Sequence, residues 1–98
     1  MPILLPLGGQ QTLTISTSAV SLTVPDRANA AIITVETASI RFWDTGAVPT
    51  SSEGHLATSG TSIVYSDATE RSLLTNFQAI RATGTDATIQ VSYYVYRN

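Results

Sequence analysis

The stretch Ala87-Thr88-Ile89-Gln90-Val91-Ser92-Tyr93-Tyr94-Val95-Tyr96 decides the fold. Successive side chains of a strand point to opposite faces. Ala87, Ile89, Val91, Tyr93 and Val95 therefore share one face, and Thr88, Gln90, Ser92, Tyr94 and Tyr96 share the other. A helical period would mix the two sets. The length and aromatic content of the stretch predict a central or interface strand.

The same alternation recurs upstream in shorter pieces. Phe77–Ala82 reads as a strand, closed by Thr83-Gly84-Thr85-Asp86, and Ser62–Ser66 as another with Ile63 and Tyr65 in phase. Ser72–Asn76 reads as a strand end or a single helical turn, and Asp67–Glu70 as a turn. In Ile40–Trp43, Ile40 and Phe42 share a face; in Ala31–Glu36, Ala31, Ile33 and Val35 do. Leu13 with Ile15, and Val20 with Leu22 and Val24, continue the pattern until Pro25-Asp26 stops it. Residues 44–60 carry turn chemistry, broken by one short extended piece around His55-Leu56-Ala57.

No window sustains a helical period over three turns. About seven or eight short strands with regular turns predict an all-β fold, a single antiparallel β-sandwich or small β-barrel. Residues 1–10, with Pro2, Pro6 and Gly8-Gly9, form an extended N-terminal arm ahead of one antiparallel β domain at 11–98. An apolar arm (Ile3, Leu4, Leu5, Leu7) folds back on its own domain or crosses to a neighbouring subunit, because solvent is a poor place for it.

Composition narrows the function classes. The chain has 98 residues, 43% hydrophobic and only 12% charged, with a net charge of −2. A hydroxyl-rich, weakly charged surface has little like-charge repulsion, which suits a subunit that sits against neighbours. The five basic residues (Arg27, Arg41, Arg71, Arg81, Arg97) are scattered and all Arg, so no nucleic-acid groove has its electrostatic footprint. No Cys is present, which removes disulfides and thiolate metal sites. The apolar start is short and proline-broken, unlike a secretory signal, and no run reaches the ~18–20 residues of a membrane span. Synthesis in the cytoplasm without membrane insertion is expected.

The one tripeptide with catalytic associations is Asp44-Thr45-Gly46. It resembles the turn that each subunit of a retroviral-type aspartic protease contributes to a shared carboxylate pair. Trp43 ahead of it, Ile80-Arg81-Ala82-Thr83-Gly84 out of the family's later pattern, and no evident glycine-rich flap all depart from that family. His55 has only Glu53 nearby and reads as a loop residue, not a metal ligand. No catalytic, cofactor-binding or metal residues are assigned. Tyr94 and Tyr96, beside Arg97 on the polar face of the last strand, are types enriched at protein interfaces, and tyrosine faces also stack on sugars. The expected interface set is Leu4, Leu5, Leu7, Tyr94, Tyr96 and Arg97.

The order of pieces Ala19–Pro25, Ala31–Glu36, Ile40–Thr50, Gly54–Gly60, Ile80–Ala82 and Ala87–Tyr94 resembles small tailed-bacteriophage virion proteins, over about four fifths of the chain. That resemblance implies a non-enzymatic structural protein in the virion. Its first form is a capsid decoration (cement) protein bound to the major capsid protein or another virion protein. Its second is a tail or connector accessory. It implies a homo-oligomer, trimer or dimer, made in the host cytoplasm, with no nucleic acid, membrane or cofactor. The aspartic protease and a carbohydrate-binding module are the readings from other classes.

Overall fold

The computed structural model describes residues 3–66 and 71–97. The strands are β1 (Ile3–Ile15), β2 (Val20–Ser21), β3 (Ala30–Glu36), β4 (Ile40–Trp43), β5 (His55–Ala57), β6 (Ser62–Tyr65), β7 (Gln78–Arg81) and β8 (Ala87–Arg97), with one helical turn, α1 (Arg71–Thr75), before β7. They form two four-stranded sheets, ordered β1-β8-β3-β6 and β2-β7-β4-β5, with antiparallel pairing throughout. The fold is a β-sandwich.

The sandwich closes on a core of apolar side chains and tyrosines. Ile15, Ile33, Val35, Ile89 and Tyr93 come from one sheet, Ile40 and Ala79 from the other, and Leu74 and Phe77 from α1 and the link after it. Each large side chain taken out of water contributes about 1.5–3 kcal/mol. Among the described residues no charged side chain is fully buried. Phe42 stacks on Phe77 with centroids 5.3 Å apart, so the Ile40/Phe42 face points inward as the alternation requires.

Among the described strands only the β4–β5 connection stays within one sheet; the others cross the sandwich. Several connections hold backbone at positive φ. Between β3 and β4 the Ala38 amide donates to the Glu36 carbonyl at 2.9 Å, closing a γ-turn over Thr37, whose φ is +77°. The β4–β5 loop folds back against β4 in the second sheet. There Gly54 has φ +131°, and a Cβ at that position would lie 3.2 Å from the Phe42 backbone. Arg41 donates to the Gly54 carbonyl at 3.1 Å and holds the loop down.

Several boundaries differ from the sequence reading. Of the expected strand Val20–Val24 only Val20–Ser21 pairs, with Ala79 and Gln78, although Leu22 is buried. The open choice at Ser72–Asn76 resolves to the helical turn. The short extended piece expected at His55-Leu56-Ala57 is β5, so His55 is a strand residue and not the loop residue its chemistry suggested, with its ring 5.4 Å from Phe42 and 5.1 Å from Trp43. The expected turn at Asp67–Glu70 lies outside the described residues. Residues 3–10 belong to the long first strand, which shifts register once, between Leu7 and Gln11.

Candidate functional site

Register decides which side chains meet on the solvent face of the β1-β8-β3-β6 sheet. Leu4 lies opposite Tyr96; Pro6 lies opposite Tyr94, which lies opposite Ala30; Ser92 lies opposite Ile32, which lies opposite Val64. All have the phase opposite to Ile33, Val35, Ile89, Val91 and Tyr93, which are buried. One half of an outward face is thus apolar and aromatic: Leu4, Pro6, Tyr94, Tyr96, Ile32 and Val64. The other half is Thr12, Thr14, Thr34, Ser62, Thr88 and Gln90, with Glu36 at its end. An exposed antiparallel face is ordinarily polar along its whole length, so the apolar half needs a reason.

The exposure is real at both ends. Leu4 is 43% exposed and Val64 57%, while Ile32, Tyr94 and Tyr96 are half-buried. Strand spacing and rise give the six Cα positions a span of roughly 14 by 14 Å. The six side chains carry no charge; along the ladders Arg97 follows at the tip and Glu36 ends the threonine half. Ser92 donates to the Tyr94 hydroxyl at 3.1 Å, leaving the phenol proton of Tyr94 for a partner.

The tip is fixed from one side by a side chain that stands in for backbone. Beyond Ala30, where β3 stops, the Asn29 amide accepts from the Tyr96 amide at 2.7 Å and donates to the Tyr96 carbonyl at 3.2 Å. This extends the ladder by one step and sets the Tyr96 ring on the outer face. Below it, Tyr93 points inward and donates to the Gln11 side chain, and burial pushes its phenol up to about 12.

The expected interface residues are divided by this geometry. Leu4, Tyr94 and Tyr96 come together on the outer face. Leu5 is opposite Val95 in the inward phase, yet 38% exposed because the second sheet does not reach it; Leu7 is opposite Tyr93 and packs against the core. Arg97 is exposed opposite Ile3. Pro6, Ile32 and Val64 were not singled out from sequence. Their membership depends on cross-strand register, which alternation along a single strand does not give.

Asp44 follows β4, in the bend that includes Gly46, and its carboxylate accepts from the Tyr65 hydroxyl at 2.9 Å. Tyr65 ends β6 in the opposite sheet, so this bond ties the two layers together. A broad groove of about 540 Å³ lies elsewhere, between Pro49–Ser51 and the end of β7 with the turn after it, where Ile80 and Ala82 line it together with the hydroxyls of Thr17, Thr50 and Thr83 and the Arg81 side chain. Beside it Asp86 pairs with Arg81 at 2.7 Å. Hydrogen bonds from Ser16 and then Arg81 hold the Asp86 carboxyl below its usual range. Comparison with family models, curated proteins and solved structures finds no match for this chain.

Proposed function

We propose that the protein is a structural, non-enzymatic component of a phage virion, a decoration (cement) protein that docks on the head shell through the outer face of its first sheet. The observation that carries the reading is the uncharged patch of Leu4, Pro6, Tyr94, Tyr96, Ile32 and Val64, on a sheet face where polar residues are the rule. The resemblance of the element order to small virion proteins supports the choice of partner.

Size supports a repeated contact over a single strong one. A stable pairwise interface needs roughly 800 Å² per partner, and a patch about 14 Å on a side supplies a few hundred at most. Contacts of that size hold when several are made at once, as an oligomer makes them on a repeating shell. Tyr94 and Tyr96 suit such a site, since they add contact area at small entropic cost and keep a hydroxyl for hydrogen bonding.

The test is co-sedimentation of the purified protein with intact particles that lack it, with wild type beside Tyr96→Ser and Val64→Ser. Wild type is expected to pellet with particles in a saturable number of copies, and each variant to bind at least tenfold more weakly while keeping its β-sheet circular dichroism. Equal binding by wild type and both variants removes the patch from the reading. No binding by wild type removes the reading itself.

A further inference from the structure

The first half of β1 is built differently from the second. Ile3–Leu7 pairs with Tyr93–Arg97, and Gln11–Ile15 pairs with Ala87–Val91, with the register shift between Leu7 and Gln11. The second half is anchored: Ile15 is fully buried, and the Gln11 side chain accepts from the Thr23 amide at 3.2 Å and from the Tyr93 hydroxyl. In the first half Leu7 packs against the core, but the residues before it do not. Ile3, Leu4 and Leu5 are 48%, 43% and 38% exposed, and they add little to the core. Between the halves stand Gly8, with nothing within 4 Å of where its Cβ would be, and Gly9, with φ +87°. Two adjacent glycines at a break in register are a hinge that costs little to turn.

The slot that Ile3–Leu7 occupies belongs to β8. Its far end projects past β3, held on that side by the Asn29 side chain, in a molecule whose long axis is 44 Å against 23 and 19 Å for the others. Anything that fits this slot must offer an extended strand of the same pattern. One such strand is known to fit it, because it is already there.

We propose that Ile3–Leu7 is an exchangeable strand, which leaves its own β8 at the Gly8-Gly9 hinge and pairs with Tyr93–Arg97 of a second copy, which reciprocates. Every register contact of the single chain is remade in the pair, so exchange has almost no enthalpic cost, and the balance is set by concentration. A strand tethered by a short flexible link competes at an effective concentration in the millimolar range. Single chains therefore dominate in dilute solution and exchanged pairs appear toward millimolar. The pair presents two outer patches on one body. The proposal goes beyond the docking reading and is tested without particles.

The chain has no Cys, so a pair of introduced cysteines reports one contact cleanly. Leu4→Cys with Tyr96→Cys joins register partners beyond the hinge, and Thr12→Cys with Gln90→Cys joins partners before it. Both proteins are refolded and oxidised from about 10 μM to about 1 mM, the tether concentration, and run on non-reducing gels. The first pair is expected to pass from intrachain closure to a covalent dimer as concentration rises, while the second closes within one chain throughout. Light scattering on the native chain over the same range is expected to show a rising dimer fraction. Intrachain closure of the first pair at every concentration, or equal dimer yields from both pairs, overturns the proposal. If particle binding fails while exchange is seen, the docking reading falls and this one stands.

Discussion

Two residues hold conformations or partners that single substitutions can probe. Thr37 sits at φ +77°, where a β-branched side chain is strained by about 1–2 kcal/mol. Glycine there relieves that strain but loses up to about 1 kcal/mol through a freer unfolded chain. Thr37→Gly is expected to raise stability by roughly 0.5–1 kcal/mol, read as a higher urea midpoint at unchanged slope. A lower midpoint means the γ-turn is held by contacts the glycine forfeits. At Tyr65, removal of the hydroxyl deletes a hydrogen bond to a carboxylate, a class worth roughly 1.5–3 kcal/mol. Tyr65→Phe should fall in that range, and Asp44→Asn should cost less because its amide oxygen still accepts. A larger loss from Asp44→Asn would show that the charge itself is what the site holds. The resemblance of Asp44-Thr45-Gly46 to a catalytic turn was legible in three residues; the hydroxyl that meets Asp44 from the other sheet was not.

Elements that decide their own faces were legible. β8 is one: alternation is strict over its first ten residues, 87–96, and the buried and outward sets there match the sequence reading position by position. β2 and α1 were not, for a physical reason. A two-residue strand exists only by virtue of Ala79 and Gln78 beside it, and five helical residues are too few to show a period. The candidate patch was half legible on the same grounds. Tyr94 and Tyr96 follow from alternation and Leu4 from the apolar character of the first residues, whereas Ile32 and Val64 join only when β3 and β6 take their register. The tip offers a direct test of how one element is ended. Asn29→Ala removes both bonds that extend the ladder at Tyr96. With about 1 kcal/mol lost, amide exchange at Tyr96 should quicken roughly fivefold, while Ile89 and Val91 keep their protection. Uniform quickening of all three would mean that Asn29 supports the whole sandwich.

Tyr93 and Asp86 act at the scale of the molecule, since each shifts the folding equilibrium. Tyr93 has its folded pKa raised to about 12 by burial, above the ordinary tyrosine value near 10. Its contribution is therefore fully present below about pH 10 and is lost as pH climbs from there through about 12. Tyr93→Phe should flatten stability against pH in that window, and an unchanged slope would show that Tyr93 does not govern alkaline unfolding. Asp86 has the opposite sign. Its folded pKa lies below the unfolded one, so its stabilisation is present above about pH 4 and fades as pH falls through the folded value. Asp86→Asn should separate from wild type at neutral pH and converge with it in acid.

Topology makes the last prediction, because it joins the opposite ends of the sequence. Ile3 lies beside Arg97, and β1 and β8 form the longest pairing in the fold. Six of the seven connections between successive strands cross the sandwich, so almost no pairing can form locally. Such folds take milliseconds to seconds, since loop closure precedes any reward. Linking residue 97 to residue 3 through a short glycine-serine turn, and opening the chain at the exposed Ser51-Ser52, turns β1 and β8 into a hairpin. The only connection sacrificed is the β4–β5 loop. This permutant is expected to keep the sandwich and refold at least several-fold faster in stopped-flow fluorescence of Trp43. An unchanged rate would place the slow step in the crossings and not in the β1–β8 closure. The same linker ties Ile3–Leu7 at both ends, so the permutant should also stay monomeric at concentrations where the native order of elements gives exchanged pairs.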